Sequence, residues 1–382
     1  MKLEELVSKL IRFPTVNPPG DNLFECASFI RDYFSAQGFS ASIIEFEKGW
    51  PTVVVDNKNK SDKTVVLNGH YDVVPTGDRS KWEYDPFSGK IIEDKVYGRG
   101  ATDMKGGLAV IMQIFTEIAD KVPYNLVFSA VPDEETGGEK GSRYLAERYN
   151  PSLVLISEPS ASDSINIGEK GLLQVKLISR GKVAHGSLPS LGENAITKLV
   201  KDLLSLEKIK DVEIKIPEEV RDALIVKIPT EAAKNDVIRI SFNPGVIKGG
   251  VKVNVVPDYA EAEVDMRIPP GIKSEEALQI VKSLVSFSSV VPLDISEPNY
   301  TSPNNTFVIK LEETIKRVLN TTPAKYIMTG ATDGRYFRYK GIPTIVYGPG
   351  EIGLAHAYNE YITFKELRNS YIVMKEFLLS LF

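Results

Sequence analysis

Short apolar runs alternate with amphipathic stretches through the first 160 or so residues, and this alternation constrains the fold more than any other feature. Helical periodicity marks residues 2–12 and 22–37, and strand-like runs follow at 52–55 and 64–68. The spacing predicts a helix over 104–119, because Leu108, Ile111, Met112, Phe115 and Ile118 share one stripe. Strands at 125–130 and 153–156 flank a helix around 142–147. Such a succession builds a sheet covered by helices on both faces.

The pattern changes near residue 172. Residues 172–179 read as a strand, and 194–206 as a helix with Ile196, Leu199, Val200 and Leu203 on one side. Alternating antiparallel strands at 251–256 and 259–268 and a helix at 274–286 complete a small α+β unit. Beyond the polar, proline-containing stretch 297–305, helix and strand alternate again. Thr363-Phe364-Lys365-Glu366 reads as a capping box opening the last helix. A chain of 382 residues exceeds one compact core. The expected architecture is an α/β domain with a helix-covered mixed sheet, residues 1–172 and 292–382, interrupted by an inserted α+β domain, residues 173–291.

Composition narrows the functional classes. An apolar share of 42% and a charged share of 25% belong to a globular protein. No run approaches the roughly 18 to 20 apolar residues of a membrane span, and the N-terminus lacks a signal-peptide core, so a cytoplasmic address is expected. The lone Cys26 excludes an intramolecular disulfide, and its apolar setting suggests a buried thiol. With a net charge of −5 and scattered Lys and Arg, nucleic acid is an unfavoured partner. Small molecules or short peptides fit better.

Three histidines occur, His70, His185 and His356, each in a polar, turn-rich setting. His70 lies just past a predicted strand, where open α/β sheets place their ligand sites. Asp72, two residues on, is placed to accept the second ring N–H and fix the tautomer. Asp103 directly precedes a predicted helix and reads either as an N-cap or as a bridging metal ligand. Gly106 and Gly107 weaken that helix start by up to about 1 kcal/mol each relative to alanine, a cost that suggests close backbone approach to another group. The run Asp133-Glu134-Glu135 again follows a strand and offers a metal ligand beside a general base. Glu158 follows a fourth strand, and His356 follows a strand predicted over 343–347. This donor set exceeds the needs of one zinc and suits two divalent ions sharing a carboxylate.

In this order, segments 68–107, 132–138, 157–159, 181–189, 254–267 and 329–360 resemble the superfamily of dizinc peptidases and deacylases. It contains succinyl-diaminopimelate desuccinylase, acetylornithine deacetylase, aminoacylase and glutamate carboxypeptidase. The resemblance implies one zinc held by His70, Asp103 and Glu158, and a second held by Asp103 as bridge, Glu135 and His356. Cobalt or manganese suits such carboxylate-rich sites as well. Glu134 is implied as general base, with Asp72 behind His70. The insert resembles the family's lid and dimerisation domain, which implies a homodimer. His185 matches a histidine that, in dimeric relatives, reaches the partner's active site to stabilise an oxyanion. Taken alone it reads as a turn histidine. Asn254, Arg267 and Arg335 match positions that contact a substrate carboxylate, although an arginine is more often a surface group or ion pair. The implied reaction is hydrolysis of an N-acyl amino acid, desuccinylase-like or acetylornithine deacetylase-like. Aminoacylase, carboxypeptidase or dipeptidase activity is the alternative.

Rival classes lack support. Gly348-Pro349-Gly350-Glu351-Ile352-Gly353 has dinucleotide-fingerprint spacing, but no βαβ unit with a downstream acid follows it. Gly-x-Ser-x-Gly, P-loop and His-Glu-x-x-His motifs are all missing. A non-catalytic metal-binding protein would fit the loss of Glu134 or Asp103, and both are present.

Overall fold

A computed structural model describes all residues from Met1 to Phe382. The chain is a mixed α/β protein that divides into two compact units. Residues 1–168, 301–325 and 332–382 form the first, and residues 169–300 and 326–331 the second. The second unit therefore runs past residue 291, because the strand Ser288–Ser296 pairs with Gly171–Arg180 on both sides of that position. No helix is long and apolar enough to cross a membrane.

In the first unit, strands lie side by side in the order Ala41–Glu45, Pro51–Asp56, Asn125–Val131, Thr64–His70, Leu153–Ile156, Thr344–Val346, Ser164–Glu169. The four strands from Asn125–Val131 to Thr344–Val346 run parallel, with His70 opposite Val131 and Asn68 opposite Ile156. Their near-continuous Val, Leu and Ile runs are buried, as a sheet covered on both faces requires. Helix Lys105–Ile118 covers one face beside Leu3–Ile11 and Phe364–Leu379. On the other face, Leu145, Ala146 and Phe337 pack with Val66, Val127, Val154 and Val346.

Cys26 is fully buried on helix Leu23–Ser35, where burial pushes its thiol up to about 11. The last helix is capped by Thr363, whose side chain accepts from the Glu366 N–H. The Glu366 carboxylate does not complete the capping box. It accepts instead from Ser162 and from the Gly350 N–H.

The second unit carries an antiparallel sheet in the order Asn243–Gly249, Tyr259–Ile268, Gly171–Arg180, Ser288–Ser296. Strict alternation along Tyr259–Ile268 sends Ala260, Ala262, Val264, Met266 and Ile268 into a core with helices Ala195–Leu206 and Ser274–Leu284. Helix Ala195–Leu206 buries Ala195, Leu199 and Leu206 and leaves Ile196, Val200 and Leu204 exposed, so the expected single stripe is split between two faces. The strand expected over 251–256 is confined to Val255–Val256, which pairs with Ala184–His185.

Candidate metal centre

Parallel register brings several strand ends of the first unit to one sheet edge, and with them their polar turns. His70 is the last residue of its strand and is buried. Its Nδ1 lies 3.0 Å from the Asp72 carbonyl oxygen and 3.3 Å from the Asp72 carboxylate. Both neighbours only accept, so Nδ1 carries the proton and Nε2 is the nitrogen left to face a cation. The same Asp72 carboxylate accepts the Glu134 and Glu135 backbone N–H groups, each at 3.2 Å, and the Asn17 amide at 2.9 Å. One buried carboxylate thus sets both the imidazole and the acidic loop.

Asp103 lies between the two imidazoles. Its Oδ1 is 3.2 Å from His70 Nε2 and its Oδ2 3.4 Å from His356 Nε2. His356 Nε2 also lies 3.2 Å from Glu135 Oε2, and His70 Nε2 lies 3.9 Å from Glu134 Oε2. Donor atoms of His70, Glu134 and Glu158 fall within 4.8 Å of one another, as do those of His70, Asp103 and Glu135. The N-cap reading of Asp103 does not hold: the helix starts at Lys105 after Met104, without a side-chain cap.

Gly106 and Gly107 do meet another group closely, and it is the chain's own backbone. A Cβ on Gly107 would lie 1.7 Å from the Ser157 carbonyl oxygen, and one on Gly106 2.4 Å from that of Ala101. Gly348 approaches the Ser157–Glu158 backbone as well, where a Cβ would lie 2.3 Å from the Ser157 oxygen and 2.5 Å from the Glu158 oxygen. The glycine that opens the fingerprint-like segment therefore makes room for the turn bearing Glu158.

The acids crowd each other. Burial raises the Glu134 carboxyl well above its usual range, and Glu158 adds to the rise. Burial also raises Glu135, with the His356 contact opposing it and Asp103 adding to it. For Asp103 burial acts upward, but His356 and His70 hold the carboxyl below the ordinary range. Burial disfavours a charged His70, yet Asp103 and Asp72 hold its pKa well above normal, while Asp103 and Glu135 lift His356 to about 10. Glu135 Oε1 is buried without a hydrogen-bond partner. Carboxylate oxygens and imidazole nitrogens of this kind, packed with an unsatisfied oxygen, fit divalent cations.

The first unit thus gathers His70, Asp72, Asp103, Glu134, Glu135 and His356, with Glu158 beside His70 and Glu134. Arg335 belongs to this unit, and its Nη2 donates to the Gly137 carbonyl at 2.5 Å, next to the Tyr336 hydroxyl on the same oxygen. His185, Asn254 and Arg267 belong to the second unit. There Gly186 N–H donates to the Asn254 carbonyl, which places Asn254, in the turn before Val255–Val256, close to the strand end that carries His185. His185 Nδ1 accepts from the Ser187 N–H at 3.2 Å and contacts the Ser187 hydroxyl at 2.7 Å. A backbone N–H only donates, so the neutral imidazole carries its proton on Nε2. Arg267 forks onto Asp265 at 3.0 and 3.2 Å.

Three residues at the centre escaped the sequence reading: Asn17, Arg99 and Glu360. Glu360 is buried and accepts from the N–H groups of Gly100, Thr102 and Asp103, while Arg99 pairs with it at 2.7 Å. Both stand in segments rich in motif residues, but no spacing rule flags a carboxylate whose partners are main-chain N–H groups.

A helix-covered mixed sheet whose strand ends gather imidazoles and carboxylates defines a candidate metal-binding α/β protein, and comparison with known proteins gives the class its chemistry. Residues 66–380 match the model for Peptidase family M20/M25/M40, and the chain belongs to this family of metal-dependent enzymes that hydrolyse amides. An uncharacterised metallohydrolase of Methanocaldococcus jannaschii is 28% identical over 95% of this chain and 95% of its own length. A probable succinyl-diaminopimelate desuccinylase of Staphylococcus aureus is 28% identical over 97% of this chain and 95% of its own. Among solved structures, an M20 family metallo-carboxypeptidase from Sulfolobus solfataricus superposes with a TM-score of 0.82 at 24% identity, covering 99% of both chains.

Proposed function

We propose that this enzyme hydrolyses the amide bond of an N-acyl amino acid, in the manner of a desuccinylase or acetylornithine deacetylase, with two zinc ions at the first unit's strand ends. The observation that carries this reading is Asp103, whose two oxygens face His70 and His356 separately. His70, Asp103 and Glu158 would hold one ion, and Asp103, Glu135 and His356 the other, with cobalt or manganese as substitutes. When bound, the ions supply Lewis acidity and make water a stronger acid.

The chain's own residues then do the proton work. Glu134, raised by burial and by Glu158, takes a proton from water and returns it to the leaving amine nitrogen. Asp72 holds the Glu134 N–H and His70 in place meanwhile. His185 would donate its Nε2 proton to the oxyanion, in a homodimer from the partner subunit, and the Ser187 N–H contact supports that tautomer. Asn254 beside it would contact the substrate, whereas Arg267 and Arg335 would have to exchange Asp265 and the Gly137 carbonyl for a substrate carboxylate. The dimer would form through the inserted domain, residues 173–291, acting as lid. A cytoplasmic setting belongs to the same reading, and the lone buried Cys26 agrees with it.

A panel of N-succinyl-diaminopimelate, N-acetylornithine, other N-acetyl amino acids and dipeptides, assayed with and without chelator, tests the reading. Chelator-sensitive release of the acyl group is expected. Turnover confined to peptides with a free C-terminal carboxylate would favour a carboxypeptidase or dipeptidase, the second reading supported by the Sulfolobus solfataricus structure. Absence of turnover across the panel would remove the deacylase reading.

A further inference from the structure

The buried pair Arg99–Glu360 joins two loops that each carry a metal-ligand candidate. Glu360 Oε1 accepts from the N–H groups of Thr102 at 2.8 Å and Asp103 at 3.1 Å. Its Oε2 accepts from Gly100 N–H at 3.0 Å and from Arg99 Nη1 at 2.7 Å. The guanidinium continues to the carbonyls of Ala357 at 3.1 Å, His356 at 3.2 Å and Pro75 at 3.4 Å. One ion pair therefore grips the Asp103 backbone with one member and the His356 backbone with the other.

His356 needs such a grip. Its φ is +63°, and that of Asn359 is +56°, a left-handed conformation that side chains with a Cβ disfavour and that persists only where the surroundings enforce it. Arg99 donates to the carbonyl of His356 itself. Neither Arg99 nor Glu360 stands in either donor group.

We propose that Arg99 and Glu360 are positioning residues that set the separation of Asp103 and His356, and so govern occupancy of the second ion more than that of the first. This inference rests on the two-ion reading above. His356 serves only that second ion, whereas the first shares Asp103 but keeps His70 and Glu158, to which none of the pair's hydrogen bonds runs. Breaking the pair should therefore weaken the second ion by about 10- to 100-fold, the usual effect of losing an outer hydrogen bond to a ligand, and the first, which shares only Asp103, clearly less.

The test is titration of the full-length, metal-stripped protein with Co²⁺, followed by visible absorption and calorimetry, for wild type, Glu360→Gln and Arg99→Lys. Two equivalents in wild type, with the second weakened far more than the first in both variants, is the expected result. A Gln presents an amide N–H₂ to main-chain donors, and a Lys lacks the fork that spans two carbonyls. Equal weakening of both ions, or unchanged affinities, overturns the positioning role. A wild type that binds one ion overturns the two-ion reading instead. If Glu360→Gln fails to fold by circular dichroism, Arg99→Lys decides alone.

Discussion

Lys170 is buried in the second unit, with its ammonium donating to the carbonyls of Asp236 and Arg239, both at 2.9 Å. Those carbonyls close the helix Glu231–Ile238, where a cation satisfies groups the helix leaves open. Burial pushes the Lys170 pKa down to about 7, with Asp236 opposing and Arg267 adding to the fall. The unfolded chain keeps this proton up to about 10.5. Between these values the unfolded state binds more protons, so stability rises with pH, by at most about 1.4 kcal/mol per pH unit. Below about 7 both states are protonated and the gain is absent. Urea melts of wild type and Lys170→Met at about pH 6.5 and about pH 9.5 should show wild type gaining on the variant at the higher pH. A constant difference would contradict the buried-ammonium assignment. Residues of the candidate metal centre stood out in sequence for a local reason, since His70, Asp72, Glu134, Glu135 and Glu158 each stand at a strand end or within a few positions past one. Glu360 was not, because its Thr102 partner lies 258 residues away.

At the level of elements, the parallel strands and the helix Lys105–Ile118 followed from period alone, since buried strands read as apolar runs and the helix as a stripe. Edge strands of the second unit were harder. Asn243–Gly249 is exposed along its whole length and Ser288–Ser296 along most of it, so neither shows the alternation of a half-buried strand. The glycines after Asp103 were legible as a cost but not in purpose, because their neighbour, the Ser157 carbonyl, belongs to a distant strand end. Gly107→Ala forces a Cβ to within 1.7 Å of that oxygen, and must push the Glu158 turn away from the helix. Overpacking of this kind costs about 1 to 3 kcal/mol. Thermal unfolding should reveal a lower midpoint and metal titration a weakened ion at the site proposed for His70, Asp103 and Glu158. Wild-type stability and affinity together would show that the turn yields freely.

For the whole molecule, the change of pattern near residue 172 was legible, but the return of Tyr326–Ala331 to the second unit was not, since so short a segment carries no periodicity of its own. The dimer proposed above would draw on the exposed Ile196, Val200 and Leu204 and the exposed edge strand Asn243–Gly249 of the second unit. Sedimentation equilibrium should give a dimer for wild type and a shift towards monomer for Leu204→Glu. A wild-type monomer would remove the partner-donated His185. The most direct test of the enzyme itself is Glu134→Gln, assayed on the best substrate of the panel with metal content measured in parallel. Turnover should fall by roughly 10²- to 10⁴-fold with both ions retained, as loss of a general base requires. Near-normal turnover with both ions bound would contradict the assignment of Glu134 as the base.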